Sequence, residues 1–355
     1  MDTAGRYRIL AGPGSPYSHK MRGVMRYRRI PHDWVIQLGG FDGNAKHGEL
    51  LATGKRLLPV VQFPDGAYWN DSTPIIHVLE ERHTGRSVLP PSPAEQFLAR
   101  LIDDFADEWL SVLLMAFRWT SDEDVAFCAR RQMHGWLGAV SEDVLAAAIG
   151  RFSARQQMVR SIIGGGNEAA REVYEDHYKA FLDIMETGLS QRMFLFGERP
   201  SIADFGLYGM LSQFVVDPTP SRLLRERAVR TFQWVQSTDD LSGHDGEWAT
   251  TRTPGEAVKA LVRLAGRSFL PMMLANARAL AEGEKLVRFS VDGVTLTSMA
   301  MPYKRACWLW LKQMFAALPE AERESLHPLL DEAGFRSALV FAPGEAERVP
   351  AFGMM

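Results

Sequence analysis

Three hydroxyl side chains, Ser15, Tyr17 and Ser18, crowd the stretch Gly14-Ser15-Pro16-Tyr17-Ser18-His19-Lys20, where an apolar run gives way to a helical pattern. A hydroxyl there has two uses. It caps the helix by accepting a backbone N–H that the first turn leaves unpaired, or it donates its proton to an anion, such as a thiolate, drawn by the partial positive charge of the helix start. Neither position 15 nor position 18 is cysteine. Dithiol exchange is therefore excluded at this turn, and a serine can only hydrogen-bond a sulfur brought by another molecule. Asp71-Ser72 stands before a second helical pattern, again as a cap or a polar site. Lys55 and the Leu58-Pro59 step lie just upstream. His77 and His83 have no third ligand in view, and Cys128 and Cys307 are the only cysteines, so no metal site and no disulfide framework is expected.

The elements that must position these residues follow from periodicity. Tyr7 to Ala11 is a short apolar strand, and Met21, Val24 and Met25 recur at helical spacing behind the turn. Pro31 and Asp33 break that pattern before Trp34-Val35-Ile36, giving a β-α-β unit with parallel strands. Residues 39–48 are Gly-rich, read as a surface loop, and lack the spacing of a dinucleotide-binding fingerprint. A short helix near Glu49 to Ala52 follows. Leu57 to Phe63 and Ala67 to Trp69 flank a Pro64-Asp65-Gly66 turn and form a hairpin, and Thr73 to Glu81 is a helix. The order is β-α-β-α-β-β-α.

After the proline-rich connector from Gly85 to Pro93, strand signals vanish. Gln96 to Phe117 reads as one long amphipathic helix, with Asp103, Asp104, Asp107 and Glu108 on its solvated or domain-facing side. Helices are also expected over Glu123 to Trp136, Val140 to Ile149 and Ala170 to Gly188, with Gly164-Gly165-Gly166 as a break. Ser201 and Asp204 have the spacing of a capping box, ahead of an almost wholly apolar helix. Further on, one helix from Pro254 to Gly283 with a kink near Pro271, a hairpin around Val291-Asp292-Gly293, and helices over Tyr303 to Leu318 and Pro319 to Ala333 are expected. Across the 355 residues the net charge is -3, with no large basic cluster, no span of membrane length and no secretory signal, so nucleic acid and membrane partners are not expected and a cytoplasmic location is.

The order of elements, the Ser-Pro-Tyr-Ser turn, the Leu58-Pro59 step, the Asp71-Ser72 helix start and the Ser201/Asp204 box together resemble cytosolic glutathione transferases over residues 5–240. The resemblance implies a thioredoxin-like α/β N-terminal domain (1–85), an all-α C-terminal domain (94–245), and a helical extension with a β-hairpin (246–355) packed on the helical domain. It implies glutathione as cosubstrate, with Leu58 ahead of a cis Pro59 at the cysteinyl part, Asp71 and Ser72 at the γ-glutamyl end, and Lys55 at the glycyl carboxylate. Ser15 falls where Ser-type members hold the thiol, with Tyr17 and Ser18 as alternative donors and Tyr17 a glutathione contact. An apolar electrophile would lie against Phe105, Trp109, Met115 and Phe117. The reaction would be conjugation, ether cleavage, dehalogenation or isomerisation, and the alternative is a non-catalytic binding protein of the same fold. A homodimer is expected from the resemblance alone. In the extension, Trp308, Trp310, Met314 and Phe315 read as core, or as a wall folded over the cleft.

Overall fold

The computed structural model describes residues 5–36, 49–55, 57–250 and 253–352. The Gly-rich stretch 39–48, read above as a loop, lies outside them. The N-terminal region runs β1 (Tyr7–Ala11), α1 (Pro16–Tyr27), β2 (His32–Ile36), α2 (Glu49–Ala52), β3 (Val60–Gln62), β4 (Tyr68–Asn70) and α3 (Ser72–Arg82). Its sheet has the order β2-β1-β3-β4, with β1 parallel to β2 and antiparallel to β3, and β3 antiparallel to β4. As an inner strand β1 is covered on both faces, so Ile9, Leu10 and Ala11 are all apolar and fully buried.

The helical region opens with α4 (Pro93–Phe105), passes through a π-helical turn (Ala106–Leu110) and continues as α5 (Ser111–Arg118), so the expected long helix is one rod with a widened turn at its middle. Then come α6 (Asp122–Leu137), α7 (Glu142–Ile163), α8 (Arg171–Gly188), α9 (Ile202–Phe214), α10 (Pro218–Arg227) and α11 (Val229–Thr238). Helix α7 runs fourteen residues past the expected Ile149, and it stops where Gly164 takes a φ of 105°, a conformation that favours glycine. The capping box forms: Asp204 N–H donates to Ser201 Oγ, and Asp204 Oδ2 accepts from Ser201 N–H at 2.8 Å. Every residue of α9 is buried. It lies against α1 at close range, because a Cβ on Gly209 would come within 2.9 Å of the Pro16 carbonyl oxygen.

The extension comprises α12 (Glu256–Arg267), α13 (Phe269–Ala281), β5 (Leu286–Val291), β6 (Val294–Met299), α14 (Pro302–Ala316), α15 (Glu320–Glu332) and α16 (Phe335–Ala338). The single kinked helix expected from Pro254 is instead two helices that part at Ser268. Pro271 then falls in the first turn of α13, where its missing N–H costs no intrahelical bond. The Asp292-Gly293 turn has positive φ at both residues and pairs Val291 with Val294, as its sequence predicts. Trp308, Trp310 and Phe315 are buried in the main core, while Met314 packs against it. Glu322 of α15 reaches the start of α4, accepting from Ala94 N–H at 2.7 Å and Ser92 Oγ at 3.0 Å. Among the described residues no helix is long and apolar enough to cross a membrane.

Candidate functional site

Ser15 is the N-cap of α1, and Pro16 takes the first helical position. Its Oγ accepts from Ser18 N–H at 3.2 Å, and its own N–H donates to the Gly12 carbonyl at 2.9 Å. The Ser15 side chain is partly exposed, and its hydroxyl proton is left over from the cap. The other two hydroxyls are engaged elsewhere. Ser18 is fully buried and its Oγ accepts from Gly12 N–H at 3.4 Å. Tyr17 Oη donates to the Asp107 carbonyl at 2.9 Å, in the π-helical turn. Burial, helped by the charges of Asp107 and Glu108, pushes the Tyr17 phenol well above its ordinary value and keeps it protonated.

The turn is fixed from the helical side. Arg118 Nη1 donates to the Gly14 carbonyl at 3.2 Å while its Nε donates to buried Asp217 at 2.6 Å. Gln213 and His19 both donate to the Pro13 carbonyl, at 3.4 and 3.1 Å. Burial, with Arg22 nearby, lowers the His19 pKa to about 4, so the ring is neutral. Arg118 and Gln213 were invisible to the sequence reading, since each is one polar residue near the end of an apolar helix.

Leu58-Pro59 is a cis peptide, as expected. The Leu58 side chain lies beside the turn, its Cδ1 3.0 Å from where a Cβ on Gly12 would stand. Lys55 is partly buried, with its N–H on Thr53 Oγ1 at 3.1 Å. Asp71 occupies the N-cap position of α3 with a φ of 81°, a strained conformation for a non-glycine residue, and Ser72 behind it is buried. Asp71 Oδ2 accepts from Tyr303 Oη of α14 at 2.6 Å. The extension thus touches the N-terminal domain as well as the helical one.

The proposed pocket walls separate. Phe105 and Trp109 are fully buried in the core, with Trp109 edge-on to His177 at 5.6 Å, and Phe117 packs on Tyr178 at 5.3 Å. These three belong to the main core; the helix has apolar residues on more than one side, and the sequence could not tell which side faces the cleft. Met115 alone belongs beside the turn, in an apolar cluster with Leu58, Trp119, Met133, Trp136 and Phe152. Most of that cluster comes from the α6–α7 hairpin. Its Gln132 and Trp136 press on the turn so closely that a Cβ on Gly14 or Gly12 would lie 2.7 Å from them.

The carboxylates of the long helix are domain-facing and paired. Lys20 Nζ lies 2.6 Å from Asp103 Oδ1 and 2.7 Å from Asp107 Oδ2, and donates to Thr73 Oγ1 at 2.9 Å. Burial opposes the Lys20 charge, yet the two carboxylates outweigh it and hold the lysine above its ordinary pKa. Arg100 pairs with Asp104 at 2.8 Å and Lys304 of the extension with Glu108 at 2.7 Å.

The family description "Glutathione S-transferase, N-terminal domain" matches residues 14–82, and "Glutathione S-transferase, C-terminal domain" matches residues 168–237. The chain belongs to the glutathione transferase superfamily, with a thioredoxin-like domain followed by a helical one. The α6–α7 hairpin and the extension lie outside both matches. No curated protein matched the chain. Solved structures similar to it include a GST-like protein from Pseudomonas syringae at 16% identity and a TM-score of 0.45, covering 66% of each chain. A glutathione S-transferase from Methylobacillus flagellatus with glutathione bound is 18% identical with a TM-score of 0.40, covering 66% of this chain and 99% of that one. The β-etherase LigF from Sphingobium sp. strain SYK-6 is 15% identical with a TM-score of 0.46, covering 72% of this chain and 97% of that one.

Proposed function

We propose that this chain is a glutathione-dependent transferase in which Ser15 stabilises the glutathione thiolate for attack on an apolar electrophile. The observation that carries the reading is the sharing-out of hydroxyls in the turn. Tyr17 spends its proton on the Asp107 carbonyl and Ser18 is fully buried beside Gly12 N–H, whereas Ser15 accepts its cap bond at a partly exposed position with its proton still to donate. A sulfur in front of it would also feel the positive end of α1, and both effects favour thiolate over thiol. Leu58 beside the cis proline, Lys55, and Asp71 with Ser72 then take the cysteinyl, glycyl and γ-glutamyl parts. The electrophile would meet Leu58, Met115 and the hairpin. A C–S bond forms as the leaving group departs with its electron pair; in an addition, the pair goes to the electrophile instead.

The contact of Gln132 and Trp136 with the turn favours a second reading, a binding protein whose hairpin keeps electrophiles out. Glutathione affinity measured by calorimetry, followed by turnover of an aryl halide, separates the two. Turnover that falls roughly 10²-fold in Ser15→Ala supports catalysis through Ser15. Binding without turnover supports the second reading, and absence of binding removes the first. A homodimer is part of the proposal. It would have to pair through a surface other than α4, whose sides are buried by its own chain, and light scattering of the intact protein tests it.

A further inference from the structure

The acidic residues at the junction of α1, α3, α4 and α14 have partners, with one difference among them. Asp103 and Asp107 share Lys20, Asp104 has Arg100, and Glu108 has Lys304. For Asp71 the direct side-chain partner among the described residues is a neutral phenol, Tyr303, at 2.6 Å. A carboxylate held by a neutral donor keeps its negative charge unspent, and a primary ammonium is the group that complements it. Tyr303 is firmly placed for this task. It stands in the first turn of α14, next to Lys304 and its ion pair with Glu108, and just after Met301, whose N–H and carbonyl are both bound by Asn276, at 2.8 and 3.0 Å.

We propose that Tyr303 is a positioning residue of the thiol cosubstrate's site, its hydroxyl holding the Asp71 carboxylate ionised and aimed at the α-ammonium of a γ-glutamyl peptide. The extension then supplies part of that site. This rests on the assignment of Asp71 and Ser72 to the γ-glutamyl end given above. The groups facing Asp71 are Lys20 from α1, Arg100 from α4, Tyr303 and Cys307 from α14, and Tyr17. Burial raises the Asp71 pKa, and the Tyr303 hydrogen bond, Lys20 and Arg100 pull it back. Tyr303 itself is pushed well above the ordinary phenol value, by burial first, and so remains a donor. Cys307 is raised well above its ordinary value in the same way and stays neutral.

Removing the donor should let Asp71 protonate more readily, so the loss of affinity should deepen as pH falls. Calorimetry with glutathione, and with an analogue whose γ-glutamyl residue is replaced by glutaryl and so lacks the amino group, tests this on the full chain. Tyr303→Phe should bind glutathione about tenfold more weakly in mildly acidic buffer and recover part of that loss in mildly alkaline buffer. The glutaryl analogue should bind wild type and Tyr303→Phe alike, and adding Tyr303→Phe to Asp71→Asn should change nothing further. Equal glutathione affinities for wild type and Tyr303→Phe at both pH values overturn this inference alone. A loss that is the same for both ligands assigns Tyr303 to packing and also overturns it. If the folded wild type binds no glutathione, the underlying assignment fails together with the inference.

Discussion

Ser15 and Lys20 sit five residues apart on α1 and illustrate opposite uses of a polar side chain. Ser15 keeps a free proton at a partly exposed helix start, whereas Lys20 spends all of its charge inside the junction. Lys20→Met would strip the cation from Asp103 and Asp107 and leave uncompensated buried charge, a change expected to cost about 3–5 kcal/mol. Denaturant unfolding checks this, and a loss near zero would mean that the carboxylates simply take up protons. Ser15 was legible because a hydroxyl before a proline at a strand-to-helix turn is a local pattern. Tyr303 was not, because its partner Asp71 is 232 residues away and nothing in the sequence couples them.

At the scale of elements, a further carboxylate joins the Lys20 ion pairs in clamping α1 to the helical domain. Asp239 pairs with Arg22 at 2.5 Å and Arg26 at 2.7 Å, and accepts from Tyr208 Oη at 2.5 Å. Burial opposes its charge, but Tyr208, Arg22 and Arg26 prevail and hold the carboxyl at about 2. A depressed carboxyl stabilises the fold above its unfolded pKa of about 4 and loses that contribution as pH falls through the folded value. Asp239→Asn should therefore melt below wild type near neutral pH, and the gap should close between about pH 4 and about pH 2. A gap that does not vary with pH would contradict this. Helix α9 gives a second element-scale expectation: Ser201→Ala should cost about 1 kcal/mol by chemical denaturation, with glutathione affinity unchanged. The capping box, the hairpin turn and the β-α-β order were readable because each depends on residues close in sequence. The break at Ser268 was not, since the residue there is neither proline nor glycine, and the run of α7 from Ile149 to the Gly164 stop was not, since only Phe152 and Arg160 are buried there and little apolar periodicity shows. The face of the long helix that meets the cleft was also hidden, because a π-helical turn re-phases it.

At the scale of the whole molecule, the α6–α7 hairpin and the extension lie outside the matched residues and both reach the candidate site. The α6–α7 hairpin presses Gln132 and Trp136 onto the turn, and α14 of the extension holds Asp71. The extension is also structural, since Glu322 binds the start of α4 and Lys304 neutralises Glu108. Gly12→Ala would drive a methyl group into the Trp136 ring and push the hairpin outward. It should raise the proteolytic sensitivity of α6–α7 in the native protein, and unchanged cleavage would show that the hairpin already moves freely. The central claim concerns the sulfur in front of Ser15. Its most direct test is the thiol pKa of bound glutathione, followed by the ultraviolet absorbance of the thiolate across pH in wild type and Ser15→Ala. The expected result is a bound pKa at least about one unit below that of free glutathione in wild type, moving back toward the free value in Ser15→Ala. A bound thiol that titrates like free glutathione, or identically in the two proteins, would contradict the claim.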